Sequence, residues 1–416
     1  MTVLAPAPGG LRRRRDFRLL WTGQATGKLG SSVTGVALPL VAVAVLDAGT
    51  FQVALLSAAA WLSWLLIGLP AGAWVDRLPR RPVMLACDVT ALMLFLSVPV
   101  AAWLDRLTIA HLAAVALGAG CTGVFFQTAY QVYLPSLLER DELAEGNAKV
   151  QATEAAAQVG GPGVAGLVTQ LAGAVNALLI DAASYLVSAL CLLAIRTRES
   201  RPTRVRRGSL REEIAEGLRF VAGDPYLRVL TLFSAASNVC LFGYQSILVV
   251  FLVREVGVTP GMVGALAAAA SLGAVAGAAA APVPSRRFGS ARALLAAEIG
   301  AAPFGLLIPL TEPGAGLLPT VAGGFVIAAG VAAGNVIKGS FRQTYSPRAL
   351  LGRITVTMQL VSYGAIPLGA LLGGALGTAW GVRPAMWIST GGLALTGLIL
   401  LTGPLRHHRD LPSQPV

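Results

Sequence analysis

Apolar residues run through this chain in long blocks separated by short polar turns. The blocks fall at 17–45, 51–75, 82–104, 108–134, 147–172 and 175–196, then at 226–253, 259–284, 290–311, 315–345, 352–380 and 384–404. About 20 apolar residues rising 1.5 Å each cross a bilayer core, so each block predicts a membrane-spanning helix. Asp47-Ala-Gly-Thr, Pro79 with Pro82, Asp105-Arg106, Thr259-Pro260 and Glu312-Pro313-Gly314 mark turns between them. The predicted fold is all-α, with twelve transmembrane helices in two six-helix bundles at 17–196 and 226–404. Residues 1–16 and 405–416 are then polar tails, and 197–225 is the linker. Within the linker, 209–222 reads either as an amphipathic helix lying on the inner membrane surface, where its arginines meet anionic head groups, or as a solvated connection.

Composition agrees. Hydrophobic residues make up 55% of the 416 and charged residues only 12%, about half the roughly 25% of soluble domains. A water-soluble enzyme is therefore excluded. The net charge of +12 raises nucleic-acid binding, but the positions of the positive residues explain it better. Twenty-eight of the 32 Lys and Arg lie in the tails and in the segments from which odd-numbered spans start, against three (Arg106, Arg254, Arg383) in the opposite loops. Cytoplasmic loops retain Lys and Arg, so both termini are expected in the cytoplasm. The run Arg12 to Arg15 precedes a first span too long for a signal sequence, so a retained anchor is expected. Cys87, Cys121, Cys191 and Cys240 lie inside apolar helices without CxxC spacing, so neither a metal nor a disulfide is implied. No cofactor is expected: there is no Walker A sequence, no HExxH and no Ser/His/Asp grouping.

The two halves align at an offset near 210. Gln24, Lys28 and Gly35 fall on Ser234, Asn238 and Gln245, Asp88 falls on Glu298, and Gln127 and Tyr130 fall near Asn335 and Lys338. Parallel six-helix repeats with a site between them are a transporter signature.

The loop after the second span reads Gly72-Ala-Trp-Val-Asp76-Arg77-Leu-Pro-Arg80-Arg81. It resembles the GxxxDRxxRR loop of the major facilitator superfamily, with Pro79 where glycine is usual. A carboxylate at Asp76 can cap a helix N-terminus, and the arginines can bridge to neighbouring acids, a cluster suited to holding an inner gate. The second-half counterpart, Gly277 to Ala281 followed by Arg286 and Arg287, lacks the acid. In span 5, Gly161-Pro162 with Ala165-Gly166 resembles the GxxxGPxxGG motif of the antiporter branches, which by itself is also a helix-packing feature. FRLLWTGQ at 17–24, the run 133–149, Asp181-Ala-Ala-Ser-Tyr185, Phe341 to Tyr345 and Leu351-Gly-Arg353 are similar to the drug:proton antiporter group that includes macrolide-efflux and enterobactin-exporter proteins. The arginine many drug antiporters carry in span 4 falls at Ala114.

Ionisable groups inside spans are costly and mark function by default. Gln24, Lys28, Ser31 and Gly35 share one helix face. The resemblance implies that spans 1, 4, 7 and 10 line a cavity, to which Gln127, Tyr130, Gln131, Ser234, Asn238, Gln245, Asn335 and Lys338 would contribute. Such a cavity is net positive and suits a carboxylate, phosphate or polyhydroxylated ligand, unless Lys28 is held in an ion pair with an acid on another helix. Glu154, Asp181, Asp88 and Glu298 are the candidate proton carriers, because a desolvated carboxyl can exchange protons near neutrality. The symmetry of Asp88 and Glu298 also suits a structural role. The expectation is a monomeric, multi-pass protein of the cytoplasmic membrane that exports a small organic molecule in exchange for protons. Its partners are substrate, protons and lipid rather than nucleic acid. An importer or uniporter of a metabolite and a non-transporting receptor are the alternatives.

Overall fold

The structure is a computed structural model describing residues 14–75, 77–139, 142–197, 210–347, 350–412 and 414. The first six helices are α1 (Arg15–Ala44), α2 (Thr50–Val75), α3 (Arg80–Trp103), α4 (Ile109–Leu137), α5 (Leu143–Ala172) and α6 (Ala174–Ala194). Helix α7 (Leu210–Gly223) follows in the linker. The remainder are α8 (Pro225–Val250), α9 (Pro260–Ala280), α10 (Pro282–Phe288), α11 (Ser290–Ala301), α12 (Leu318–Tyr345), α13 (Leu351–Trp380) and α14 (Val382–Thr402). Helix α8 continues through a π turn, Phe251–Glu255, and α11 through a 3-10 stretch, Ala302–Leu310, where Pro303 and Pro309 lack the amide hydrogen an α-helix needs. Among the described residues the result is twelve helical segments of spanning length. Eleven are also apolar enough to cross a membrane by composition. The twelfth, α5, carries Glu145, Lys149 and Glu154.

The internal repeat is written in the turns at the end of the bundle away from the termini. Asp47, Asp105 and Gly173 have φ of 45°, 54° and 87°, and Gly257, Gly314 and Gly381 have φ of 74°, 70° and 94°. Each first-half residue thus has a second-half counterpart 208 to 210 positions on that takes the same left-handed conformation. Glycine adopts it freely, and aspartate is among the few other residues that tolerate it.

Helix α7 lies against α13 and α8. Gly217 leaves room for the Arg353 backbone and the Thr357 side chain, and Glu216 pairs with Arg353. Asp224 then caps α8, its Oδ1 accepting from the amides of Tyr226 and Leu227, while Tyr345 donates its hydroxyl to Oδ2.

The C-terminal tail returns to the start of α11. Asp410 Oδ1 accepts from the Ser290 amide at 2.9 Å, and the Arg409 carbonyl accepts from the Ala291 amide at 3.1 Å. The Leu411 amide donates to Ser290 Oγ at 2.9 Å. The loop before α11 has no acid where the first-half loop has Asp76, and the tail brings one from elsewhere in the chain. Replacing an N-cap side chain typically costs about 1 kcal/mol. Asp410→Ala, which removes the accepting oxygen, is therefore expected to lower the unfolding temperature of the purified protein by about one or two degrees, and deleting residues 409–416 by more. A full-length melting temperature in the deletion variant would show that the tail stabilises nothing.

Candidate functional site

The two halves touch from mid-depth to the end away from the termini. Helix α5 meets α9, and α2 meets α13, through residues too small to separate them. A Cβ on Gly166 would lie 2.8 Å from Gly264 Cα and 2.8 Å from the Pro260 carbonyl oxygen. A Cβ on Gly264 would strike the Pro162 carbonyl. Gly161, one turn away, faces Ser32 of α1 instead. At the other seam, Gly374 faces Ala54 and Phe51, and Gly377 faces Thr50. Arg254, on the π turn, pairs with Asp47 across the halves at 2.7 Å. At mid-depth the Trp61 ring meets Phe242 and Tyr363 edge-on, with centroids 5.4 and 5.6 Å apart.

Toward the termini, two sets of ion pairs between described residues lie within one half or between a half and its linker. Arg14 meets Glu139 and Glu142, and Arg353 meets Glu216. In the first turn of α3, Arg81 donates to the Leu192 and Leu193 carbonyls at 2.8 and 3.0 Å, fastening the start of α3 to α6 of its own half. Arg77 is exposed and Arg80 half-buried, while Gly72 lies within α2. Asp76 lies outside the described residues.

On that side a cavity of about 180 Å³ opens between α1, α3, α4 and α6. Gln24, Lys28, Ser31, Gln127 and Asp88 line it, as do Cys87, Thr122, Phe126, Tyr185 and Ser188. Hydropathy and charge single out Gln24, Lys28, Ser31 and Gln127 as cavity residues and Asp88 as a candidate proton carrier, but not the second group. Tyr185 and Ser188 follow Asp181 on one face of α6 at helical spacing, and that spacing is the signal that could have found them. Tyr130, Gln131, Ser234, Asn238, Gln245, Asn335 and Lys338 are not among the cavity's lining residues. Asn238 instead donates to the Ser362 carbonyl at 2.8 Å, joining α8 to α13.

Both intramembrane lysines named from the sequence are paired. Lys28 Nζ lies 2.9 Å from Glu154 Oε1, tying α1 to α5. Lys338 Nζ lies 2.7 Å from Glu298 Oε1, tying α12 to α11, and sits over the Phe233 ring. Asp181 is fully buried and accepts from the Thr34 and Ser184 hydroxyls. Asp88 is 2% exposed and accepts from Ser188, but its Oδ2 has no partner. Asp88 and Glu298, aligned in the sequence repeat, therefore differ in partner, and the residue aligned with Lys338 is Tyr130.

Residues 5–415 match the profile of a family described as transmembrane secretion effector. The chain is 28% identical to the multidrug efflux pump Tap of Mycolicibacterium fortuitum, covering 97% of this chain and 99% of that protein. It is 25% identical to the enterobactin exporter EntS of Shigella dysenteriae, covering 97% and 96%. Among solved structures, a bacterial homologue of the iron transporter ferroportin is similar in fold. It superposes with a TM-score of 0.76 in its inward-facing state, at 17% identity, covering 95% of this chain and 99% of that one. In its outward-facing state the score is 0.60, at 18% identity, with 94% and 100% covered.

Proposed function

The chain belongs to the transmembrane secretion effector family of the major facilitator superfamily, and from that membership we propose that it exports a small organic molecule, a drug or secreted metabolite, in exchange for protons. It is a multi-pass membrane transporter and not an enzyme. The observation that carries the proposal is the asymmetry of the bundle. Glycine-packed seams close one end, while a polar cavity lies toward the other. With the termini in the cytoplasm, as the arginine distribution expects, the closed end is the outer one and this is the inward-facing state. The better superposition on an inward-facing than on an outward-facing neighbour supports that orientation. Rocking of the halves would part the α5–α9 and α2–α13 seams and carry a bound molecule across without ATP. Glu154, Asp181, Asp88 and Glu298 remain the candidate proton carriers. Glu154 and Glu298 hold lysines, so a proton arriving at either would release an ion pair.

Cells expressing the chain should extrude rhodamine 123, and dissipating the proton gradient with a protonophore should abolish that extrusion. Extrusion that continues undiminished without the gradient would identify a uniporter instead.

A further inference from the structure

We propose that Arg342 receives an acidic group, a carboxylate or a phosphate, of the exported molecule where the space between the halves opens toward the termini. The inference deepens the reading of the chain as an exporter and rests on it for its biological meaning. Its evidence is a guanidinium that the fold half-buries and leaves without a partner.

Other half-buried cations are committed. Lys28, Lys149, Lys338, Arg353 and Arg383 each hold a carboxylate, and Arg81 holds two carbonyls. Arg342, one turn from the end of α12, makes no side-chain hydrogen bond or ion pair among the described residues. Its Nε is buried without a partner, and its two terminal nitrogens, also unpartnered, reach accessible surface. A guanidinium stays protonated and carries five N–H donors. Withdrawing part of it from water without an acceptor is costly, so a charge kept this way inside a span marks function by default.

The open face of α12 shows where an acceptor can come from. Asn335, Gly339 and Arg342 follow at i, i+4 and i+7 and share that face. Asn335 is exposed, and a Cβ on Gly339 would meet no neighbouring atom within 4 Å. Lys338, next to Gly339, turns away to Glu298 on α11. The Arg342 charge interacts instead with Tyr363 of α13. That ring meets Trp61 and Trp64 of α2 edge-on, with centroids 5.6 and 5.9 Å apart, so it lies on the seam between the halves. An arginine near a helix end commonly extends to lipid head groups. This one lies within electrostatic reach of a ring on the side where the halves part. The positive charge expected from Lys28 and Lys338 is neutralised by Glu154 and Glu298, and Arg342 supplies one that stays available. Its planar fork fits a carboxylate or phosphate through two parallel N–H···O bonds. The Tyr363 and Trp61 rings suit an aromatic body attached to that acid.

The test is equilibrium binding of rhodamine 110 and its methyl ester, rhodamine 123, to the purified full-length protein in phospholipid-free detergent, with empty micelles as blanks. The two dyes share one cationic xanthene, and rhodamine 110 alone carries a free carboxylate. Wild type should bind rhodamine 110 about tenfold more tightly than rhodamine 123, the worth of a charge-assisted pair of hydrogen bonds. Arg342→Gln should lose that preference while binding rhodamine 123 as wild type does, and Arg342→Lys should keep part of it. Because the substitution strands no partner, Arg342→Gln should also melt at the wild-type temperature. Equal affinity for the two dyes in wild type, binding of neither, or a preference that survives Arg342→Gln overturns the proposal. So does a preference lost together with a lowered melting temperature, which would make Arg342 structural. If wild type binds the dyes equally, phosphatidylglycerol that raises its melting temperature but not that of Arg342→Gln would identify a lipid head group as the anion held. Because binding needs no gradient, a protein that prefers rhodamine 110 through Arg342 but extrudes neither dye when energised would refute export and leave this site standing. Gradient-driven extrusion of both dyes with no such preference would do the reverse.

Discussion

Gly166→Leu is expected to reduce efflux to less than a tenth of wild type while the protein still folds and reaches the membrane. Gly166 lies on the seam where α5 and α9 pack backbone to backbone, and its missing side chain is what lets Gly264 Cα and the Pro260 carbonyl come in. Even a Cβ would sit 2.8 Å from both, and both are main-chain atoms that cannot swing aside. Leucine must push the helices apart. Each half keeps its own packing, because α5 also rests on α1 and α6, and α9 on α12. The damage therefore falls on the state in which the far ends are closed, and a transporter that cannot close one end cannot complete a cycle. Gly166→Ala should lose less, and a small residue cannot be restored from the other side, because Gly264 is already a glycine. Cysteines introduced at Gln170 and Gly261, which touch in this state, should cross-link in wild type and much less in Gly166→Leu. Wild-type efflux by the leucine variant would show that the seam does not need to close.

That seam shows how far the sequence can be read. Gly161, Pro162 and Gly166 are recognisable in one dimension because helices can approach closely only at small residues, and small residues stand out in an apolar run. The spans are legible for the same reason: lipid leaves the backbone no alternative to helix, so length and hydropathy nearly determine them. The π turn at Phe251–Glu255 and the 3-10 stretch after α11 are adjustments within spans and leave little trace in a hydropathy profile.

Pairing across helices is a different matter. Lys28 and Glu154 are 126 residues apart, and Lys338 and Glu298 are 40 apart. Each residue's depth can be read from its own helix. Which face meets which depends on rotations that only the packed bundle fixes. A cavity expected to be cationic from two lysines holds only Lys28, and that charge is neutralised once Lys28 finds Glu154. The tail's return to α11 is illegible for a related reason: Asp410 looks like one more solvated acid until Ser290 is beside it.

Lys338→Met is expected to destabilise the folded protein severely, far more than loss of the Lys28 charge or of the Asp410 cap. Its partner, Glu298, has a side chain only 5% exposed, and α12 is shaped around it: Gly334, one turn before Lys338, leaves the space its carboxylate fills. Removing one member of such a pair strands a charge where water cannot reach it, at a cost of about 3–5 kcal/mol. Removing both is much milder, because matched apolar groups need no partner. The double variant Glu298→Leu/Lys338→Met should therefore recover most of the stability that Lys338→Met loses, a non-additivity that a double-mutant cycle on thermal or denaturant unfolding in detergent measures directly. The same cycle on Lys28 and Glu154 should give a smaller coupling, since those side chains are about 30% exposed and solvent screens them. Equal couplings in the two cycles, or a Lys338→Met protein as stable as wild type, would mean that the second-half pair is not a structural lock and that Lys338 is available to the transport pathway after all.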